Sequence, residues 1–170
     1  MLVRNARAEE MARVGDLRVR TYLAQELLEP DSPYVETLRG LGRGDRGEVL
    51  VAADGDDVLG TVTLRPHRDD SEVTRSCAEG EVRALAVAPE SQGRGVGRLL
   101  LHAVRDRAAA AGMRHLVLST QPAMVAAQRL YESEGFGRLP ERDWTVHPGL
   151  TLMAYGLLLA PLRPSGGPVR

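Results

Sequence analysis

The residues of this chain best suited to chemistry lie in one stretch. From Glu81 to Arg98 a carboxylate heads an apolar strand that runs into a glycine turn and then a helix. The turn reads Gln92-Gly93-Arg94-Gly95-Val96-Gly97, with Arg98 directly after it. Gly93, Gly95 and Gly97 lack Cβ atoms, so the backbone is free to take positive φ and to let a ligand touch its amides. A helix N-terminus carries about half a positive charge and unsatisfied N–H groups. With Arg94 and Arg98 beside it, the group expected there is a phosphate. Two familiar phosphate motifs are excluded. A P-loop needs Gly-Lys-Ser/Thr, and this chain has no lysine, all 22 of its Lys/Arg residues being arginine. A dinucleotide fingerprint needs Gly-x-Gly-x-x-Gly. Counted from Gly93 the sixth position is Arg98, and counted from Gly95 it is Leu100, so neither frame fits. The turn also lies in mid-chain and not in a first βα unit, where that fingerprint belongs.

The elements that must hold these residues follow from periodicity and breakers. Glu81 to Ala88 reads as a strand with Val82, Ala84 and Ala86 on one face and Glu81, Arg83, Leu85 and Val87 on the other. Pro89 stops it. A helix is predicted from Val96, with Leu99, Leu100, Ala103, Val104 and Ala108 in helical phase and Gly112 as its C-terminal cap. Leu116 to Thr120 is a second short strand, and Pro122 is expected at the first position of the next helix, which closes at Gly135. Upstream, Leu2 to Ala6 is a strand and Glu9 to Leu28 a helix. Pro30-Asp31-Ser32-Pro33 then breaks the chain and caps a short helix from Tyr34 to Leu41. Glu48 to Ala53 and Val58 to Leu64, around Asp54-Gly55-Asp56-Asp57, form a hairpin. Arg68 to Gly80 is expected to be a mobile polar loop. The chain ends with strands around Gly137–Arg142 and Leu150–Leu158. The fold class is α/β (α+β), in the order βααβββαβαββ.

The string from Leu85-Ala86-Val87-Ala88-Pro89 through Gln92-x-x-Gly-x-Gly97 resembles the acetyl-CoA signature of the GNAT N-acetyltransferase superfamily. Ala126 to Phe136, containing Leu130-Tyr131 and Gly135-Phe136, resembles that family's second motif. The resemblance covers most of the chain and implies a mixed, mostly antiparallel central sheet flanked by helices. It implies acetyl-CoA as co-substrate and no metal. It places the pyrophosphate on the amides of Gln92 to Gly97 and the pantetheine arm along the edge of Leu85, Ala86 and Val87. It makes Tyr131 the group beside the leaving sulfur. An ordinary Tyr titrates near ~10 and a thiol near ~8.5, so a hydrogen bond to developing thiolate suits Tyr131 better than full proton transfer. The chain departs from the family where an Asn commonly follows the second strand: Thr120-Gln121-Pro122 stands there. Gln121, together with Gln128, is expected to contact the pantetheine instead.

Glu81 is the candidate general base, on the strand face of Leu85 and about 13 Å from it along an extended strand. A solvated Glu near ~4.3 matches an ammonium near ~10 poorly, so burial must raise it or the amine must arrive neutral. The loops expected to choose the acceptor carry Glu29, Asp31, Tyr34, His67, Asp69, Asp70, Glu141, Asp143, Trp144 and His147. That acidic and aromatic set suits a cationic amine, with Tyr34, Glu81, Trp144 and His147 as substrate contacts and a cation–π role for Trp144. His67, His147 and Cys77 lack metal-ligand spacing. The function expected is transfer of an acetyl group to the amine of a small molecule or peptide. A non-catalytic acyl-CoA-binding module is the alternative.

At 170 residues the chain suits one domain, residues 1–159, with a disordered Pro- and Gly-rich tail over 160–170. Its net charge of −1, with both signs interspersed, favours neither nucleic acid nor an anionic membrane. With no apolar run near 18 residues, the protein is expected to be cytoplasmic. An exposed last strand at Leu150–Leu158 is expected to offer an edge for a homodimer.

Overall fold

The computed structural model describes residues 1–44 and 46–160. Eight strands and four helices are found among these residues. They run β1 (Leu2–Asn5), α1 (Met11–Ala24), α2 (Tyr34–Gly40), β2 (Glu48–Asp54), β3 (Asp57–Pro66), β4 (Glu79–Val87), α3 (Val96–Ala110), β5 (His115–Thr120), α4 (Val125–Ser133), β6 (Gly137–Arg138), β7 (Trp144–His147) and β8 (Leu150–Leu158). The sheet order is β1-β2-β3-β4-β5-β8-β6, with β7 paired to β8. Only β4 and β5 run parallel; every other pair is antiparallel. Among the described residues no helix is long and apolar enough to cross a membrane. Of the expected tail, only Ala160 falls within the described residues.

Alternation along β2 explains why the sheet is covered on both sides. Leu50 and Ala52 join the main core with Leu100, Leu101 and Val104 of α3 and with Leu118, Tyr131 and Tyr155. Val49 and Val51 turn the other way, onto Val14 of α1. Arg18 of α1 is fully buried and donates to Leu41 O (2.7 Å) and Thr63 Oγ1 (3.0 Å), tying α1, the end of α2 and β3 together.

Five boundaries or environments differ from expectation. Helix α1 ends at Ala24, four residues before Leu28, because Glu26 takes a left-handed φ of 55° and the Leu27 amide turns back to Tyr22 O. Pro122 is not a helical first residue: α4 begins at Val125, and Gln128 Nε2 donates to both Gln121 O and Pro122 O, holding the preceding turn outside the helix. The strand expected over Gly137–Arg142 stops at Arg138, and residues 140–142 form a 3-10 turn. Trp144–His147 is an unexpected strand. It makes a hairpin with β8 through Pro148-Gly149, where Gly149 has φ 99°. Pro followed by Gly at positive φ is a turn signal that the sequence already carried. Finally, Arg68–Gly80 does not behave as a solvated loop: Val73 is 1% exposed and Thr74 3%.

Strand β8 is therefore no free edge. Met153–Leu158 pair with β5, while Tyr155 and Gly156 pair with β6 and Leu150–Leu152 with β7, so most of its backbone is already engaged.

The loop before β4 is pinned by Glu79. Its carboxylate accepts from Arg142 Nη2 (2.9 Å), the Arg75 amide (2.6 Å) and His115 Nδ1 (3.1 Å). Burial works to raise its pKa, but the Arg142, Arg75 and His115 contacts overcome this and hold it at about 2, below its ordinary 4.5. A depressed carboxyl contributes stability above its unfolded pKa, and that stability is lost as pH falls through the folded value. Glu79→Gln is expected to lower the melting temperature at neutral pH, by about 1–3 kcal/mol of stability. The gap to wild type should close between about pH 4.5 and 2. Parallel melting curves with an unchanged gap down to the acid end would show that the network does not titrate as a unit.

Candidate active site

The glycine turn divides into residues that face open space and one that packs. Gly93 and Gly95 take φ of 75° and 78°, and a Cβ built on either meets nothing within 4 Å. Gly97 is different: its Cβ would stand 2.9 Å from Leu130 Cδ2, so this glycine lets α3 approach α4. Gly95 is the N-terminal cap residue of α3 and supplies no side-chain cap. Leu99 is the first of the helix amides to find an acceptor, Gly95 O at 3.0 Å. Among the described residues the amides from Gly93 to Arg98 have no backbone partner. They form a row of donors without backbone partners, the helix dipole behind them. Arg94 stands exposed beside a shallow depression of about 690 Å³ on the α1 side. Arg98 is already engaged, its Nε donating to Glu134 at 2.6 Å, so it joins α3 to the end of α4. Gln92 reaches back toward Val87 O at 3.4 Å.

The expected alternation of β4 fails at Ala84, whose φ is 49°. Thr61 pairs with Ala86 but Thr63 pairs with Arg83, so β4 carries an extra residue there, a β-bulge. The bulge moves Leu85 and Val87 onto the core side of Val82, while Ala86 packs with Leu17 on the opposite side. Glu81 and Leu85 consequently do not share a face. The bulge also separates the two parallel strands. Pairing of β4 with β5 ends at Val82↔Leu118; beyond it β4 stays with β3, and Ser119 and Thr120 stay with β8. The Ala88 amide donates to Leu59 O at 2.9 Å, so alternation turns the Val87 amide to the unpaired edge.

Where the strands part lies a cavity of about 370 Å³ that brings together Tyr34, Glu81, Gln121, Trp144 and His147. Glu81 is buried, 8% exposed; Arg65 Nη2 donates to its Oε2 at 2.6 Å, and Arg83 Nε lies 3.6 Å from its Oε1. Trp144 Nε1 donates to Ser119 Oγ at 3.0 Å, which fixes its ring at the wall. Gln121 Nε2 donates to Leu27 O (3.3 Å), bridging the end of β5 to the chain after α1. With Gln128 held on Gln121 O and Pro122 O, neither glutamine amide is left without a protein partner.

Of the expected acidic and aromatic set, Glu29, Tyr34, Trp144 and His147 reach the cavity. Asp31, His67, Asp69, Asp70, Glu141 and Asp143 do not line it. Asp143 is bound to Arg138 (2.7 Å) and to the Ala154 amide (2.7 Å), and Asp70 to Arg68. Sequence reasoning missed Tyr22, Arg83 and Ser119 as cavity residues. Arg83 was legible as a charge two residues after Glu81; Tyr22 looked like an ordinary apolar position of α1.

Tyr131 does not line the cavity; it is buried in the main core, 5% exposed. Its ring lies 5.9 Å from Phe136 and 6.1 Å from Tyr155. Its hydroxyl makes no hydrogen bond among the described residues. Burial first, and then the neighbouring Tyr22 phenol, push its pKa well above the ordinary tyrosine value. Tyr22 itself is pushed up to about 12 by burial and by Tyr34, with Arg83 acting in the opposite direction. Both phenols therefore stay protonated, as hydrogen-bond donors.

The model of the acetyltransferase (GNAT) family matches residues 11–136, from α1 through Phe136. The chain belongs to the GNAT acetyltransferase family. An N-acetyltransferase of this family from Kribbella flavida shares its fold with a TM-score of 0.70 and 26% identity, covering 93% of this chain and 97% of that one. Human N-acetylaspartate synthetase is 33% identical over 96 residues, and mycothiol acetyltransferase of Kocuria rhizophila 39% over 95. This GNAT chain spans only 30% of the length of each of those relatives. An aminoglycoside N(6')-acetyltransferase of Stenotrophomonas maltophilia is 30% identical over 108 residues, 64% of this chain and 71% of that protein. Trp144 and His147 lie beyond the stretch matched by the family model.

The family uses acetyl-CoA, and the residues present fit it. The unpartnered amides from Gly93 to Arg98, with open space over Gly93 and Gly95, suit a pyrophosphate. The unpaired edge of Leu85 to Val87 suits an extended amide-bearing arm.

Proposed function

We propose that this protein transfers an acetyl group from acetyl-CoA to the amine of a small molecule or peptide by direct attack in a ternary complex. The observation that carries the reading is continuity. Strand β4 joins the two parts: it leaves β5 after Val82, beside the cavity holding Glu81, and runs on with an unpaired edge to the turn of unpartnered amides. When bound, acetyl-CoA supplies the activated acyl carbonyl. The Val87 amide, turned to the unpaired edge, is the donor assigned to polarise that carbonyl. Tyr131, kept protonated by burial, is assigned to donate to the departing sulfur. Glu81 Oε2 is occupied by Arg65, so Oε1 is the atom assigned to take the acceptor's proton, directly or through a water. Tyr34, Trp144 and His147 are assigned to the acceptor. The names of the relatives point to no single acceptor.

The test is thiol release from acetyl-CoA against a panel of amines. Release that depends on one amine class supports the reading, and Glu81→Gln should then lower kcat by about 100-fold. Tight CoA binding with no release for any amine would replace it with a non-catalytic acyl-CoA-binding module.

A further inference from the structure

Arg83 is a cation held in the cavity wall without a full set of partners. Its side chain is 24% exposed, yet among the described residues it makes no hydrogen bond, and its one ion pair is the 3.6 Å approach to Glu81. A guanidinium presents five N–H donors in a planar fork, and those of Arg83 stand open on the cavity wall with no protein acceptor among the described residues. Glu81 does not satisfy it because Arg65 Nη2 already takes the other oxygen at 2.6 Å. Arg65, Arg83 and Glu81 thus leave one positive charge in surplus. Of the other ionisable groups facing the cavity, Glu29 stands exposed on the chain after α1, and Tyr22, Tyr34 and His147 supply no anion to Arg83. Glu81 and Arg83 stand two residues apart on β4, before the bulge at Ala84, so ordinary strand alternation places them on one face.

We infer that Arg83 binds a carboxylate of the acceptor, so that the acceptor is an α-amino acid or a peptide whose carboxylate lies close to the reacting amine. An α-amino acid carries its ammonium and carboxylate on one carbon. Glu81 and Arg83 offer opposite charges 3.6 Å apart, the complementary arrangement. The planar fork of arginine meets a carboxylate in two parallel hydrogen bonds. Leu27, Leu150 and Leu152 line the same cavity and leave an apolar wall for the acceptor's side chain. This inference rests on the acetyl-transfer reading for its biological sense, but the anion site itself is testable without turnover.

The experiment uses the full chain saturated with CoA and measures thermal unfolding with each of the common amino acids, its α-amide and its decarboxylated amine. At least one amino acid is expected to raise the melting temperature while its amide and decarboxylated amine do not. Arg83→Gln should weaken that binding by about 10- to 100-fold. Arg83→Lys should recover only part of it, because the charge returns without the fork. Stabilisation by CoA alone, retained in both variants, shows that they fold. Acids and amides acting alike, or neither acting, would overturn the inference. If acids bind through Arg83 but no thiol is released from acetyl-CoA, the transfer reading fails and the carboxylate site stands. If amines lacking a carboxylate are acetylated as well as the acids, the carboxylate site fails and the transfer reading stands.

Discussion

Gly95→Val is expected to weaken CoA binding by at least about 100-fold while leaving a folded protein. Gly95 sits at φ 78°, ψ 8°, a left-handed conformation that costs an L-residue about 1–2 kcal/mol and a β-branched one more. The added side chain would also project into the open space over the amides that have no other partner. Strain and obstruction thus fall on the same atoms that would hold the pyrophosphate. Gly112→Val provides the control: Gly112 has the same φ of 78° and the same open surroundings, but lies past the far end of α3. It should cost similar stability and leave CoA affinity unchanged. Titration calorimetry of both variants with CoA decides the matter. Equal affinities for Gly95→Val and wild type would remove the turn from the cofactor site.

Tyr131→Phe is expected to lower kcat by about 100-fold with acetyl-CoA affinity nearly unchanged, the effect of removing one donor from a developing anion. The substitution isolates the hydroxyl. The ring's neighbours Phe136 and Tyr155 are apolar contacts that phenylalanine keeps, and no protein hydrogen bond of the hydroxyl is lost. The raised pKa adds a second expectation. Because burial holds Tyr131 protonated, the rate should show no alkaline fall near ~10, where an ordinary tyrosine ionises. Single-turnover thiol release as a function of pH tests both points. An unchanged rate in the variant would mean that the sulfur is stabilised elsewhere, with Tyr22, the protonated phenol on the cavity wall, as the next residue to replace.

Much of the scaffold could be read in advance because its signals are local. The strand before the glycine turn, the helix from Val96 with its Gly112 cap, the strand over Leu116–Thr120 (observed from His115) and the helix closing at Gly135 all follow from short-range periodicity and breakers. The errors cluster where local preference was overruled. A run from Glu9 to Leu28 has helical composition, but Glu26 is turned left-handed and the chain leaves the helix at Ala24. Pro122 fits a helix start, yet Gln128 holds its carbonyl in a separate turn. The hairpin of β7 and β8 was legible in Pro148-Gly149 and went unread because the preceding residues looked like acceptor loop.

The sequence alone determined the order of most elements, the glycine spacing and the absence of lysine, and with them the expectation of an anion at the electropositive turn; these rest on steric limits and charges that each residue carries with it. Only the tertiary structure decided how those parts meet. The bulge at Ala84 is a mismatch between two strands, so it exists only once β3 and β4 pair, and it reassigns every side chain after it. The capture of Arg98 by Glu134, of Asp143 by Arg138 and of Glu81 by Arg65 joins residues 36, 5 and 16 positions apart. A charge in a sequence has many prospective partners, and packing selects among them. The i, i+2 spacing puts Arg83 on the face of Glu81, but only packing leaves its guanidinium without a hydrogen bond among the described residues.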